Sequence, residues 1–384
     1  MKRKRLLFGC LFAAILVAVA VGLLELVLRM FMGHVLGPVE TRWHVEEVAG
    51  GSVALTPGFR GTLTIAGRTC ELTTNSDGLR GPELSPRQPG ERRVLALGDS
   101  LTFGWGVEYD ESFPARIGEL LAEQRPPVTV LNGGVPGYGT REIALAMERA
   151  IPRLGPDVLL ACIYVGNDFE DDVVVDKVVV DGFLMARHKA EVARDSWRVR
   201  LAMASRVWLL CERLWEKVLP ASGISSILGR DAAEFDAAFA GWPTGEQRKD
   251  CLFMDAEPPG PVQRAAFDRV GSSLDRMVQL AGDRPLIVVV VPTQWHCMPA
   301  TMKDLALAYY SGIGLDPAKI RPGRCIEEVG RLAEQRGLPW VDLREALFDP
   351  SACFIQGDGH LTIEGNRRAA AAITPFVVRA LNGR

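Results

Sequence analysis

The chain has 384 residues and carries 44 Lys and Arg against 47 Asp and Glu, a formal net charge of −3. This length allows two or three domains, or one large domain with insertions. Binding to nucleic acid needs a clustered basic face, which an even charge balance does not suggest. We therefore expect no nucleic-acid partner.

The amino terminus has the composition of a membrane anchor. Four basic residues, Lys2 to Arg5, precede a nearly unbroken apolar run from Leu6 to Leu28. About 20 apolar residues are enough to span a bilayer as a helix. Because the basic end stays in the cytoplasm, the sequence predicts a single-pass membrane protein whose remaining domains are extracytoplasmic.

A cleaved signal peptide is the alternative, with Ala18-Val19-Ala20 as the cleavage site. The apolar run continues past these small residues, which favours an uncleaved anchor. Glu25 lies inside the run, where a carboxyl is costly. We expect it either to lie near the membrane interface or to pair with another copy of the chain.

Three regions follow from the pattern: the tail and anchor at 1–30, a β-rich stalk or subdomain at 31–91, and a catalytic domain at 92–384. The β-rich region contains two short strand patterns and a turn-rich segment from Asn75 to Gly81. From Arg92 onward, strands and helices alternate, which predicts a parallel sheet with helices on both faces, a three-layer α/β/α domain. The predicted strands are Val94–Leu97, Val128–Asn132, Asp157–Val165, Pro285–Val291 and Pro339–Leu343, and the predicted helices are Ser112–Gln124, Thr140–Leu154, Val262–Leu280, Gly323–Arg336 and Ile363–Leu381.

An insertion at about 169–260 interrupts the alternation. Val173 to Val180 favours a strand, and Trp197 to Val218 favours one amphipathic helix. Core packing is the usual explanation of such an apolar face. A lid over the site, or a surface lying on the membrane, is the alternative. The tract from Gly241 to Gly260 has no clear period and is predicted to be a loop.

Residues suited to acyl transfer follow the predicted strands, where the carboxyl ends of a parallel sheet meet at one edge. A serine is a weak nucleophile until a base takes its proton, and a histidine held by a carboxylate does this. Fixed N–H donors then stabilise the oxyanion. The candidates are Ser100, Gly137, Asn167, and His360 with Asp358. Ser100 taken alone also suits a helix cap.

The chain resembles the GDSL, or SGNH, hydrolase family over about residues 92–384. Four blocks occur in the family's order: Gly98-Asp99-Ser100-Leu101, Asn132-Gly133-Gly134-Val135-Pro136-Gly137, Gly166-Asn167-Asp168 and Asp358-Gly359-His360. The resemblance implies a flavodoxin-like SGNH-hydrolase fold. It also implies that Ser100 is the nucleophile, that His360 is the base and that Asp358 orients His360. The oxyanion site would consist of the backbone N–H groups of Ser100 and Gly137 and the side-chain amide of Asn167.

Two points in this assignment have alternatives. The family most often places the aspartate three residues before the histidine, where this chain has Gly357, so Asp358 can instead be a turn residue. His296 is the rival base, and we expect it to line the cleft or to be structural. We expect Asp168 to be structural.

Other chemistries have weaker signals. Ser100 lacks the GxSxG context of α/β-hydrolases, and the dinucleotide fingerprint is absent. The eight cysteines show no CxxC spacing and no zinc-type cluster. Seven lie beyond the apolar run, so a monomer keeps at least one unpaired.

These observations predict a membrane-anchored serine esterase that needs no metal or organic cofactor. Its substrate is a carboxylic ester, and resemblance to anchored relatives suggests O-acetyl groups on a surface glycan. An O-acyltransferase acting on polysaccharide is the nearest alternative, since an acyl-enzyme can pass its acyl group to a sugar hydroxyl. A non-catalytic glycan-binding or assembly protein is the third.

Overall fold

A computed structural model describes residues 2–31, 45–48, 52–173, 177–180, 183–186, 197–218, 240–243, 245–299 and 302–383. The chain divides into two compact units. One contains Met1–His44 and Lys177–Ala237, and the other contains Val45–Asp176 and Ala238–Arg384. The division of the chain at residues 31 and 92 stays a prediction.

The described strands fall into one large sheet and three two-stranded ones. In chain order they are β1 Val45–Val48, β2 Ser52–Leu55, β3 Arg60–Ile65, β4 Arg68–Thr73, β5 Arg92–Gly98, β6 Val128–Gly134, β7 Val158–Tyr164, β8 Lys177–Val180, β9 Phe183–Ala186, β10 Leu286–Val291 and β11 Trp340–Asp342.

The α-helices range from single turns to a span of thirty residues. In chain order they are α1 Lys2–Phe31, α2 Ser100–Phe103, α3 Phe113–Leu120, α4 Thr140–Leu154, α5 Asp168–Asp171, α6 Trp197–Ala204, α7 Arg206–Val218, α8 Pro261–Ala281, α9 Lys303–Gly312, α10 Arg324–Glu334, α11 Pro350–Cys353 and α12 Ile363–Asn382.

The large sheet is parallel throughout and runs in the order β11-β10-β7-β5-β6. Numbered among themselves, its strands follow the 2-1-3-4-5 order of flavodoxin-like folds. Helices α3 and α12 pack on one face, while α4, α8 and α10 form the opposite layer. The predicted three-layer α/β/α fold is confirmed. The strand order of the sheet reverses between β5 and β7, and flavodoxin-like sheets bind ligands at this position.

The sheet is the core of this unit because its central strands are unbroken apolar runs. Every residue of β7 and of β10 is buried. A strand covered by helices on both faces has no solvent side, so it needs no polar alternation. The observed bounds of the five strands and of four of the five helices after Arg92 agree with prediction to within about two residues. The fifth helix, α3, ends earlier, at Leu120.

Two predictions within the insertion are wrong. Trp197 to Val218 is not one helix but two, α6 and α7, which break at Ser205. The break has a physical cause: the N–H groups that begin α7 are capped by the Glu25 carboxylate. The tract from Gly241 to Gly260 contains 3₁₀ turns over Gly245–Asp255. Part of the predicted strand, Val173 to Val180, lies outside the described residues, and β8 covers its end.

Within the described part of the chain, the segment Leu11–Met30 of α1 is long and apolar enough to cross a membrane. A membrane-spanning helix and a signal sequence both have this length and composition, so these two properties do not distinguish them. Glu25 finds its partners within this chain, at Ser205 and the first residues of α7.

Candidate active site

Ser100 follows the end of strand β5, in a turn that the surrounding atoms restrict. Asp99 caps α2 by accepting a hydrogen bond from the Leu101 N–H at 2.9 Å. At Gly98, an added Cβ would lie 2.2 Å from Thr102 Oγ1 and 2.7 Å from the Cys162 carbonyl oxygen. Only glycine fits there, so the chain turns sharply and presents Ser100 at the edge of the sheet.

His360 reaches this edge on a tight turn before α12. The Ile355 N–H donates to the His360 carbonyl at 2.7 Å, and Phe354 pairs with Leu361. Gly357 and Gly359 adopt φ values of +78° and +92°, which glycine adopts without strain. The turn therefore holds the imidazole in a fixed position.

Hydrogen bonds join Ser100, His360 and Asp358. Ser100 Oγ lies 2.8 Å from His360 Nε2, and His360 Nδ1 lies 2.5 Å from Asp358 Oδ1. A neutral imidazole with its proton on Nδ1 donates to the carboxylate, which leaves Nε2 to accept from the serine hydroxyl. The spacing of two residues between Asp358 and His360 is thus enough for contact.

The electrostatics keep Asp358 ionised. Partial burial raises the pKa of this carboxyl, but the hydrogen bonds and electrostatic attraction from His360 outweigh burial, so its pKa lies below the ordinary value. The His360 side chain is 19% exposed. The Trp105 ring lies 6.1 Å from the imidazole, centroid to centroid, and is half-buried.

Asn167 and Gly137 lie on loops at the same edge of the sheet. The Asn167 carbonyl accepts from the N–H groups of Glu170 and Asp171, and its side-chain amide donates to the Asp171 carboxylate. That amide nitrogen carries two hydrogens, of which this contact uses one. Gly137 follows β6 with a φ of +79°. The structure thus bonds three of the predicted residues together and places the other two on neighbouring loops.

Two carboxyls lie buried beside the site. Burial raises the pKa of Asp99 to about 7 and that of Asp168 well above its ordinary value. The negative charge of Asp99 adds to the upward shift at Asp168. Asp168 accepts a hydrogen bond from the Tyr164 N–H at 3.0 Å. It therefore ties the turn after β7 back to the end of that strand.

His296 is fully engaged elsewhere. Its Nε2 lies 2.8 Å from Asp255 Oδ2, and its Nδ1 accepts from the Thr293 N–H at 3.2 Å. Asp255 also accepts from the N–H groups of Gly323 and Cys325, each at 3.0 Å. Burial raises the pKa of Asp255, but its contacts with His296 outweigh this and lower it.

Asp255, His296 and Cys325 bring three metal-ligating groups within 4.8 Å of one another. Both carboxylate oxygens and both ring nitrogens already have hydrogen-bond partners. Internal contacts thus account for the cluster without an ion, and His296, which is 1% exposed, has no open face to act as base.

Sequence reasoning missed Arg80, whose side chain is buried against the loop that follows Ser100. Its guanidinium donates to the carbonyls of Phe103, Gly104 and Val107, each at 2.5 Å. It also lies 4.4 Å from the centre of the Phe103 ring. Burial lowers its pKa to about 10. The turn-rich segment from Asn75 to Gly81 marks the place, but nothing local reveals these distant partners.

Residues 96–368 match the GDSL-like Lipase/Acylhydrolase family. An arylesterase of Vibrio mimicus is 30% identical over 77 residues, which are 20% of this chain and only 38% of that protein. Solved structures are similar at low identity. One is a lipase/acylhydrolase from Enterococcus faecalis, with 14% identity over 74% of this chain and 95% of that chain and a TM-score of 0.37. Another is an acetylxylan esterase from Geobacillus stearothermophilus, with 13% identity over 76% of this chain and 94% of that chain and a TM-score of 0.36. Because the family match extends over more than half of the sequence, the chain belongs to the GDSL-like lipase/acylhydrolase family.

Proposed function

We propose that this protein is a serine esterase that hydrolyses carboxylic esters through an acyl-enzyme on Ser100. The observation that carries the proposal is the chain of hydrogen bonds from Ser100 Oγ through His360 to Asp358, at 2.8 Å and 2.5 Å. We further propose that α1 is an uncleaved anchor, with the esterase unit on the extracytoplasmic side.

The reaction has two halves. Ser100 Oγ attacks the ester carbonyl while its proton passes to His360 Nε2, and Asp358 stabilises the imidazolium. The tetrahedral intermediate collapses, and the leaving alcohol takes the proton from His360. Water then attacks the acyl-enzyme, gives a proton to His360, and releases the acid as Ser100 recovers its hydrogen.

The oxyanion needs donors that are in place before the reaction. We assign this role to the backbone N–H groups of Ser100 and Gly137 and to the Asn167 side-chain amide. Their positions after β5, β6 and β7, adjacent strands of one sheet, support the assignment. Asp171 restrains the Asn167 amide and leaves one of its hydrogens for the substrate oxygen.

For the substrate, we propose an acetyl ester on a surface glycan. The half-exposed indole of Trp105 beside His360 offers the broad apolar face on which a sugar ring packs.

Acetate release from an aryl acetate tests the esterase activity, and acetate release from an acetylated polysaccharide tests the proposed substrate. We expect the detergent-solubilised chain to hydrolyse both, and Ser100→Ala to hydrolyse neither. Trp105→Ala should raise KM for the polysaccharide with little effect on the aryl ester. A folded wild-type chain without turnover contradicts the esterase assignment. Acetyl recovered on an added glycan, instead of as free acetate, identifies an acyltransferase.

A further inference from the structure

Helices α6 and α7 form a helical hairpin, here called the interface hairpin, over Trp197–Val218. Arg198 on α6 donates to both carboxylate oxygens of Glu212 on α7, at 2.9 Å and 2.6 Å. The rings of Trp197 and Trp208 lie 5.6 Å apart, centroid to centroid. An ion pair and an aromatic contact therefore hold the two helices together.

The corner of the hairpin is bound to α1. The Glu25 carboxylate accepts from Ser205 Oγ and from the N–H groups of Arg206 and Val207, each at 2.9 Å. Arg29 donates to Glu25 at 2.7 Å and to the Ala204 carbonyl at 2.8 Å. One carboxylate thus caps the start of α7, where negative charge is favourable, and one guanidinium caps the end of α6.

These contacts set the depth of the hairpin relative to the apolar span. Glu25 lies five residues before Met30, the last residue of that span. Five residues of helix rise ~7 Å. Amphipathic helices that lie in a membrane interface bury their apolar face about 5–10 Å into the boundary between headgroups and acyl chains. With Met30 at the membrane surface, the corner at Ser205 would lie at the depth that an interfacial helix occupies.

The hairpin exposes large apolar side chains. Trp197 is 65% exposed, Leu201 39%, Leu214 54% and Trp215 49%. Tryptophan is enriched where membranes meet water, because its ring is apolar and its N–H is polar. Helix α7 packs against α1, whose apolar side chains are also exposed.

We propose that the interface hairpin lies in the membrane leaflet at the carboxyl end of α1, with these side chains at the boundary between headgroups and acyl chains. Its partner is the lipid bilayer. The inference rests on the proposed anchor role of α1 and adds a second membrane contact, supplied by the insertion. It also explains Glu25: the carboxylate is tolerated in the span because the hairpin satisfies it.

Fluorescence quenching by lipids tests this with the full chain in phosphatidylcholine vesicles. Cys211→Ser removes the exposed cysteine, and Cys10→Ser removes the cysteine in the sequence of α1. Leu201→Cys then adds an exposed cysteine, which carries an environment-sensitive dye, while the six remaining cysteines are buried. Leu24→Cys on α1 is the matched reference for an inserted residue, and Leu120→Cys is the reference for an exposed leucine of the other unit.

We expect nitroxide-labelled lipids to remove most of the fluorescence at positions 24 and 201, and little at 120. Quenching at 24 with a solvent-like signal at 201 overturns the inference and leaves the anchor standing. A dye at position 201 that is shielded from water but not quenched by the labelled lipids also overturns the inference, because protein then covers that side of the hairpin. Absence of quenching at 24 refutes the anchor and the inference together. Leu214→Cys repeats the test if Leu201→Cys does not fold.

Discussion

Arg80 links the β-rich region to the candidate nucleophile, and its removal should affect both stability and activity. In Arg80→Leu, the Phe103 carbonyl keeps the Asn132 side chain as donor at 3.2 Å, and the Gly104 carbonyl keeps the Val107 N–H at 3.3 Å. The Val107 carbonyl loses its guanidinium donor. A buried acceptor left without a donor costs about 1–3 kcal/mol, which is the expected loss in free energy of unfolding.

The activity should fall further than stability alone predicts. The carbonyls that Arg80 holds lie at the end of α2, which begins with Ser100, and in the loop that carries Trp105. Misplacement of a reacting group by about 1 Å can cost on the order of 10²-fold in rate. We expect kcat for an aryl acetate to fall by about that factor, with a smaller change in KM.

Urea unfolding and steady-state kinetics on the same preparations check this prediction. Arg60→Leu is the matched control, because Arg60 is an exposed arginine on β3. Arg80→Lys should recover part of the stability, since an ammonium keeps the charge but lacks the planar fork that reaches three carbonyls. Wild-type kcat in Arg80→Leu, or an effect no larger than that of Arg60→Leu, would refute the reasoning.

Three further predictions concern carboxyl and amide side chains. Asn167→Ala should lower kcat by about 10²–10³ through loss of an oxyanion donor, and an unchanged kcat removes Asn167 from that role. Asp358→Asn should lower kcat by up to about 10⁴, because an amide no longer favours the Nδ1–H tautomer of His360; a loss below about tenfold in single-turnover assays contradicts this. Burial raises the pKa of Asp172 to about 7, so the folded state keeps a proton that the unfolded state releases above about pH 4. Stability should therefore fall as pH rises from about 4 to 7, by at most about 4 kcal/mol from this group. In Asp172→Asn the difference in unfolding free energy between pH 5 and pH 8 should shrink, and an unchanged difference argues against the shifted pKa.

The sheet was predictable because burial on both faces leaves a clear trace in sequence. β7 and β10 are apolar without interruption, and turn residues mark their ends. The carboxyl edge of a parallel sheet gathers strand ends that are far apart in the chain. That is why Ser100 and His360, 260 residues apart, could be placed together before any coordinates.

Two features were missed because they depend on contacts at long range. The break at Ser205 depends on the Glu25 carboxylate, 180 residues away, while the helical period continues across it. The partners of Arg80 are backbone carbonyls, which leave no trace in side-chain composition. Helix α9 over Lys303–Gly312 was also missed.

Covalent labelling of Ser100 tests the central proposal most directly. The full chain in detergent would be treated with a fluorophosphonate that reacts with activated serines, and the modified peptide located by mass spectrometry. His360→Ala and an exposed-residue control, Arg60→Leu, would be treated alongside. We predict a single adduct on Ser100 that disappears in His360→Ala and persists in Arg60→Leu. A folded chain without an adduct on Ser100, or an adduct that persists without His360, would contradict the proposed activation.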